Sequence, residues 1–260
     1  MKNKMVKLLV LIVIIALVGG LIYFLVNKNK PNKTTEDVVK IRNINYFLYL
    51  GEGTKNTKYK GTETLFTGEK FTYNNISKGS ILTAAFNYLN DNQKEENALL
   101  DPSLYSELNS KYDLTKYIAM KGELVRKAIK NLFGVDWENA SYSDPTGNSI
   151  YYYVYDSESD AYLKGTQNDK KASAYLVYKV ISNTKKDDKI ITTVAIAFAD
   201  STDEGYDIYA DPTNVKLITK QKVSSIEDLK DKEVDKLDKY NITSKLVDKN
   251  YVFDSIAPAK

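Results

Sequence analysis

Ser173–Phe198 reads SAYLVYKVISNTKKDDKIITTVAIAF, two apolar runs on either side of the charged stretch Asn183–Asp188. Both runs are rich in the β-branched and aromatic side chains that favour strands, so they are expected to pair as an antiparallel hairpin. In the first run Ala174, Leu176, Tyr178 and Val180 share one face, and Tyr175, Val177, Lys179 and Ile181 the other. Apolar groups on both faces place the pair at the centre of a sheet, with helices covering at least one side.

Outward from this hairpin the same period of two recurs. Ser149–Tyr155 (SIYYYVY) and Ala161–Lys164 flank the acidic Asp156–Asp160 and read as another hairpin. Toward the C-terminus, Tyr206–Tyr209, Thr243–Asp248 and Tyr251–Ile256 read as further strands; Ser225–Lys239 carries Ile226, Leu229, Val234 and Leu237 on one helical arc, with an irregular acidic-basic excursion as the alternative its charge density leaves open.

Toward the N-terminus the period changes to that of helices. In Gly122–Phe133, Leu124, Val125, Ala128, Ile129, Leu132 and Phe133 form one stripe, and Gly134 supplies a left-handed stop. Ile81, Leu82, Ala85, Phe86, Tyr88 and Leu89 make a second apolar face after Ser80. Asp101-Pro102 reads as the start of a short helix bearing Leu104 and Leu108. Glu36–Leu50 reads as a helix, with a strand over Ile44–Leu50 as the alternative. The expected class is α+β: helices to about residue 134, then a curved antiparallel sheet from about residue 149, all in one domain over 38–260. That order is similar in layout to NTF2-like and cystatin-like domains.

Leu8–Val26 (LLVLIVIIALVGGLIYFLV) carries no charge. As a helix it reaches ~28 Å, close to the hydrocarbon thickness of a bilayer. Lys2, Lys4 and Lys7 precede it, Lys28, Lys30 and Lys33 follow it, and no small-x-small cleavage site closes it. The reading is an uncleaved signal anchor lying in the lipid bilayer of a plasma membrane. Residues 1–7 form a cytoplasmic tail, 27–37 a polar linker, and the C-terminal domain is extracellular.

The chain has 260 residues, no Cys and no His, 21 Tyr and a formal charge of +3. Those zeros exclude disulfides, thiolate nucleophiles, Ser-His-Asp triads and imidazole-bound metals. The six lysines before residue 34 account for the basic balance, and the remainder carries 31 basic against 34 acidic side chains. A net −3 with no basic stripe argues against nucleic acid as a partner.

Ile129–Gly134 (IKNLFG), the Tyr151–Tyr155 strand and Tyr251–Ile256 (YVFDSI) together resemble uncharacterised signal-anchored surface proteins of low-GC Gram-positive-type bacteria. The Lys/Asn/Ile/Tyr-rich wording of the chain is similar to theirs. The resemblance covers about half of the exported part and implies a bacterial cell-surface location, with no defined activity.

Four constellations are candidates for chemistry or binding. Asp156, Glu158 and Asp160 alternate as the oxygen ligands of calcium loops do, but an EF-hand needs Gly at the sixth position and Glu at the twelfth, where Ala161 and Gln167 stand. A solvated turn is the plain reading, and a weak Ca²⁺ site the sharper one. Asp200, Asp203, Glu204, Asp207 and Asp211 form a second acidic loop. Should the two loops share an edge, they suit a hard cation or the carboxylate pair of a cell-envelope hydrolase. Tyr151, Tyr153 and Tyr155 share a strand face, which serves either cross-strand packing or, if exposed, stacking on wall sugars or on an envelope protein. Ser182-x-x-Lys185 has the spacing of Ser–Lys acylases, but it falls in a hairpin and lacks that chemistry's other elements. The expectation is a membrane-anchored binding or assembly module without catalysis; the alternative is a carboxylate-based hydrolase.

Overall fold

The computed structural model describes residues 44, 46–48, 66, 68–92, 97–143, 150–166, 174–210, 217–221, 229 and 231–259, all within the compact unit Arg42–Lys260. The expected anchor Leu8–Val26 and the linker 27–37 lie outside them. Among the described residues no helix is long and apolar enough to cross a membrane.

In chain order the elements are β1 (Phe71–Thr72), α1 (Lys78–Asp91), α2 (Ser106–Tyr112), β2 (Ile118–Lys121), α3 (Gly122–Phe133), β3 (Tyr151–Asp156), β4 (Ala161–Thr166), β5 (Ala174–Lys186), β6 (Lys189–Thr202), β7 (Gly205–Tyr209), β8 (Leu217–Gln221), α4 (Asp231–Val234), β9 (Lys239–Val247) and β10 (Asn250–Pro258). The class is α+β with antiparallel pairing throughout.

The strands form two sheets rather than the single one expected. The larger runs β1-β10-β9-β6-β7-β8, with β5 also on β6; the smaller runs β2-β4-β3. The reason lies in β4, where Ala161, Tyr162 and Leu163 are all buried. A strand covered on both faces is a central strand and needs a partner on each edge. The four residues of β2 supply the second, pairing Met120 with Tyr162 and Ala119 with Leu163.

Helices α1 and α3 lie between the sheets. Phe86, Leu89, Ile129 and Phe133 meet Met120, Tyr153 and Tyr162 from the small sheet and Leu176, Ile196 and Phe253 from the large one. The helix α3 runs over the residues expected of it. It ends at Gly134, in the left-handed region at φ +70°, where the Gly134 N–H donates to the Lys130 carbonyl at 2.8 Å. Ser77 caps α1, its Oγ accepting from the Ser80 N–H at 3.1 Å. Near the N-terminus Leu48 N–H donates to the Ile44 carbonyl at 2.9 Å, the i to i−4 bond of a helix, so the strand alternative is not adopted there.

The strand β6 is the spine of the large sheet. It pairs with β5 along nearly its whole length, with β9 over Lys189–Ala195 and with β7 over Phe198–Thr202. As expected, its two faces are both apolar. Val194, Ile196 and Phe198 face the α1/α3 core, while Ala195, Ala197 and Ala199 meet Leu229, Val234 and Leu237 on the far side. The expected turn Asn183–Asp188 is mostly strand: Asn183 lies opposite Thr192, whose Oγ1 donates to Asn183 Oδ1 at 2.6 Å, and the reversal falls at Asp187, φ +54°.

Two helix expectations shrink. The helix α2 begins at Ser106, and Asp101 instead closes a turn, its Oδ1 accepting from the Ser103 N–H at 2.9 Å. Leu104 therefore falls outside the helix and is 79% exposed, while Leu108 packs on Ala119, Ala161 and Leu163. Within the expected Ser225–Lys239 helix, the described residues hold one turn, α4, and Lys239 already begins β9.

Candidate functional site

The hairpin turn between β3 and β4 meets α2. Leu108 anchors α2 against the outer face of the small sheet, which turns Lys111, in the last helical turn, toward the hairpin. A cation is favoured there by the helix dipole. Asp156, the last residue of β3, has only 3% of its side chain exposed. Its Oδ1 accepts from the Ser159 N–H at 3.0 Å and from Ser159 Oγ at 2.7 Å. Its Oδ2 accepts from Lys111 Nζ at 2.6 Å and from the Tyr112 hydroxyl at 3.2 Å. The bond from Lys111 holds the Asp156 carboxyl well below the usual carboxylate range, and Asp156 in turn raises Lys111. Glu158 reaches the same ammonium at 3.3 Å but is 83% exposed.

Beside this pair opens a cleft of about 340 Å³, lined among others by Leu104, Tyr105, Glu107, Lys111, Asp156 and Glu158. Its walls are the turn before α2, one side of α2 and the hairpin turn.

Asp160 faces elsewhere. Arg126 of α3 grips it with two parallel bonds, Nη1 to Oδ1 at 2.7 Å and Nη2 to Oδ2 at 2.8 Å. The Tyr155 hydroxyl donates to Oδ1 at 2.9 Å, and the Glu123 N–H at the start of α3 adds a further bond. Arg126 first, then Tyr155, lowers the Asp160 pKa, against the opposing effect of partial burial. The network continues through Asn139, whose Nδ2 donates to the Tyr155 hydroxyl at 2.8 Å. It reaches Trp137, whose Nε1 donates to the Tyr162 hydroxyl at 2.9 Å. Gly122 completes it: an added Cβ would stand 2.3 Å from Asp160 Oδ1 and 2.8 Å from the Asp160 carbonyl oxygen.

The three acids proposed as calcium ligands are thus divided. Asp156 and Glu158 meet at Lys111, and Asp160 turns to Arg126. The two buried or half-buried carboxylates each carry a cation of the chain as counter-ion, which opposes a metal ion at the same oxygens. The tyrosine row faces inward. Tyr153 is 1% exposed, its ring 5.3 Å from Phe86, and burial raises its pKa strongly. Tyr151 and Tyr155 are half-buried against the same core; Lys164 Nζ lies 3.8 Å from the Tyr151 ring centroid, and Tyr155 lies 4.9 Å from Tyr162. The row is cross-strand packing and not an exposed stacking face.

The second acidic loop belongs to the other sheet. Asp200 and Asp207 stand opposite one another on β6 and β7, Asp207 Oδ2 lies 3.4 Å from Lys220 Nζ, and Asp211 lies outside the described residues. Among the described residues no group of three His, Cys, Asp or Glu side chains is placed to hold a metal ion. Ser182 and Lys185 lie on β5, three positions apart on a strand and so on opposite faces. Sequence reasoning missed Lys111, Arg126, Asn139 and Trp137; the Arg126–Asp160 pair spans 34 positions and Lys111–Asp156 spans 45, beyond any local pattern.

No protein family matches the chain, and neither a curated protein nor a solved structure matches it.

Proposed function

We propose that the chain is a bacterial, membrane-anchored binding module, held in the plasma membrane by Leu8–Val26 and displaying its α+β domain on the extracellular side. There it engages an envelope protein or cell-wall component at the α2 cleft without catalysing a reaction. The uncharged nineteen-residue run and its lysine flanks support the anchor. The observation that carries the non-catalytic part is the state of the cleft carboxylate. A glycoside-type hydrolase needs one carboxyl held protonated beside an ionised one. Asp156, the acid built into the wall, is driven the opposite way by Lys111 and is already filled with hydrogen bonds. With its buried carboxylate tied up by Lys111, Tyr112 and Ser159, the cleft offers polar groups already set in place, which suits recognition.

The test is location. After fractionation the full-length chain is expected in the membrane fraction, and protease added to intact cells is expected to digest the residues beyond 37. Full-length chain in the cytosol, or a C-terminal bulk spared by protease, overturns the reading.

A further inference from the structure

We infer that the α2 cleft takes a neutral polyhydroxylated ligand, one or two sugar rings in size, stacked against Tyr105. This rests on the binding reading above and names the ligand class.

Charge removes one class of ligand. Asp156, Glu107 and Glu158 against Lys111 give the lining a formal charge of −2. Each unit charge held ~4 Å from an anion costs about 1 kcal/mol even in bulk-water dielectric, and more in a cleft. Phosphates, nucleotides and carboxylates are therefore turned away.

The hydrogen-bonding groups favour hydroxyls. Asp156 is consumed in orienting Lys111, whose ammonium spends two of its three N–H groups on Asp156 and Glu158 and keeps one for a ligand. Glu107 forms no ion pair among the described residues, and the Glu158 carboxylate stands mostly in water. A fixed donor thus lies next to unfilled acceptors. A hydroxyl donates and accepts at once and so uses both; an ammonium ligand uses only the acceptors and meets Lys111 as a like charge.

The apolar contribution comes from Tyr105 and Leu104. Tyr105 stands immediately before α2, its ring held by the Leu100–Leu108–Leu163 cluster, so it reaches a ligand with little further loss of rotamer freedom. Leu104, 79% exposed, forms the outer lip. A ring presenting C–H groups on one side and hydroxyls at its edge fits between this lip and the Lys111–Glu158 wall. The volume of about 340 Å³ lies at the small end for ligand sites, which limits the ligand to one or two rings.

The experiment is saturation-transfer NMR on the purified full chain in a phosphocholine detergent free of sugar head groups. It uses three disaccharides: N,N′-diacetylchitobiose (neutral), its fully deacetylated form (cationic) and a uronic-acid disaccharide (anionic). Expected is transfer to the ring protons of the neutral sugar at millimolar concentration, and none to the anionic one. Tyr105→Ala is expected to weaken binding about tenfold, a loss of about 1.4 kcal/mol. Because Tyr105 also packs in the fold, exposed variants stand beside it: Leu104→Asp and Glu107→Gln leave the fold intact and are each expected to weaken binding severalfold. No transfer from the neutral disaccharide, binding unchanged in Leu104→Asp and Glu107→Gln, or binding of the cationic sugar alone overturns the inference. The measurement uses purified protein, so a cytosolic location sinks the anchor reading and leaves this result standing; failed sugar binding with successful protease shaving does the reverse.

Discussion

Arg126 and Asp160 form a two-bond fork that ties α3, one turn in from its start, to the β3–β4 hairpin. Lysine offers a point charge and cannot reproduce both bonds. The side chains keep 32% and 41% of their surface in water, so screening limits the pair's worth. Arg126→Lys is expected to cost about 1 kcal/mol, read as a lower urea midpoint with an unchanged slope.

The same junction is more sensitive to bulk. Gly122 lets its own N–H come within 2.6 Å of the Asp160 carbonyl, and a methyl group there meets that oxygen as well as the carboxylate. Backbone on one side and a bidentate pair on the other leave little room to yield. Gly122→Ala is expected to destabilise by roughly 1–3 kcal/mol despite alanine's better helix propensity. A stabilised variant by thermal melting would mean that the hairpin turn moves aside freely.

These junctions mark the boundary of what the amino-acid order reveals. The helix α3 is legible because six apolar residues repeat at helical spacing and Gly134 ends them; β5 and β6 are legible because alternation persists for ten residues on each side of a charged stretch. The strand β2 is not, since Ile118–Lys121 is too short to show a period and becomes a strand only because β4 needs a second partner. The acidic turn was legible as a turn. Its cations were not, because Lys111 and Arg126 arrive from other elements by packing, and nothing in their own neighbourhoods distinguishes them from solvated surface charges.

Asp156 and Asp160 predict how the domain responds to acid. Both have folded pKa values below the unfolded value of ~3.9, Asp156 through Lys111 and Asp160 through Arg126. Their contribution is therefore complete above about pH 4 and is lost as pH falls through the folded values, because the unfolded chain takes up protons first. Urea midpoints measured from neutral pH down to about pH 2 should fall steeply below pH 4, and less steeply in Lys111→Met. An unchanged acid limb in that variant would show that Asp156 keeps its ionised form without the lysine.

Tyr153 and Thr83 allow the cost of an unmade bond to be separated from that of a lost one. Thr83 Oγ1 donates to the Gly79 carbonyl at 2.8 Å, so in its 2.7 Å contact with Tyr153 the tyrosine hydroxyl is the donor. Tyr153→Phe removes that donor and leaves Thr83 bonded within α1, for an expected loss of about 1 kcal/mol. Thr83→Val keeps the shape but strands a buried hydroxyl, for an expected loss of roughly 1–3 kcal/mol. Chemical denaturation of the two variants should rank them in that order; the reverse ranking would mean that the Tyr153 hydroxyl finds another acceptor.

Among the described residues, Glu233 is a place where replacing a native acidic side chain is expected to help. Its side chain is 3% exposed, Oε1 lies 3.7 Å from Lys232 Nζ, and Oε2 has no hydrogen-bond partner among the described residues. Val234, Leu229 and Leu237 on the same segment pack against Val177, Ala195 and Ile208, so this carboxylate is carried into an apolar layer. Burying a polar oxygen without a partner is unfavourable by more than a 3.7 Å ion pair to a mostly exposed lysine returns. Glu233→Leu is expected to raise stability by roughly 1–2 kcal/mol, and Glu233→Gln, which still buries an unmatched amide, by less. Hydrogen exchange on the amides of β6 next to this layer should slow in the leucine variant. Faster exchange there, with a lower urea midpoint, would mean that Oε2 is held by a water or a partner worth more than the apolar contact that replaces it.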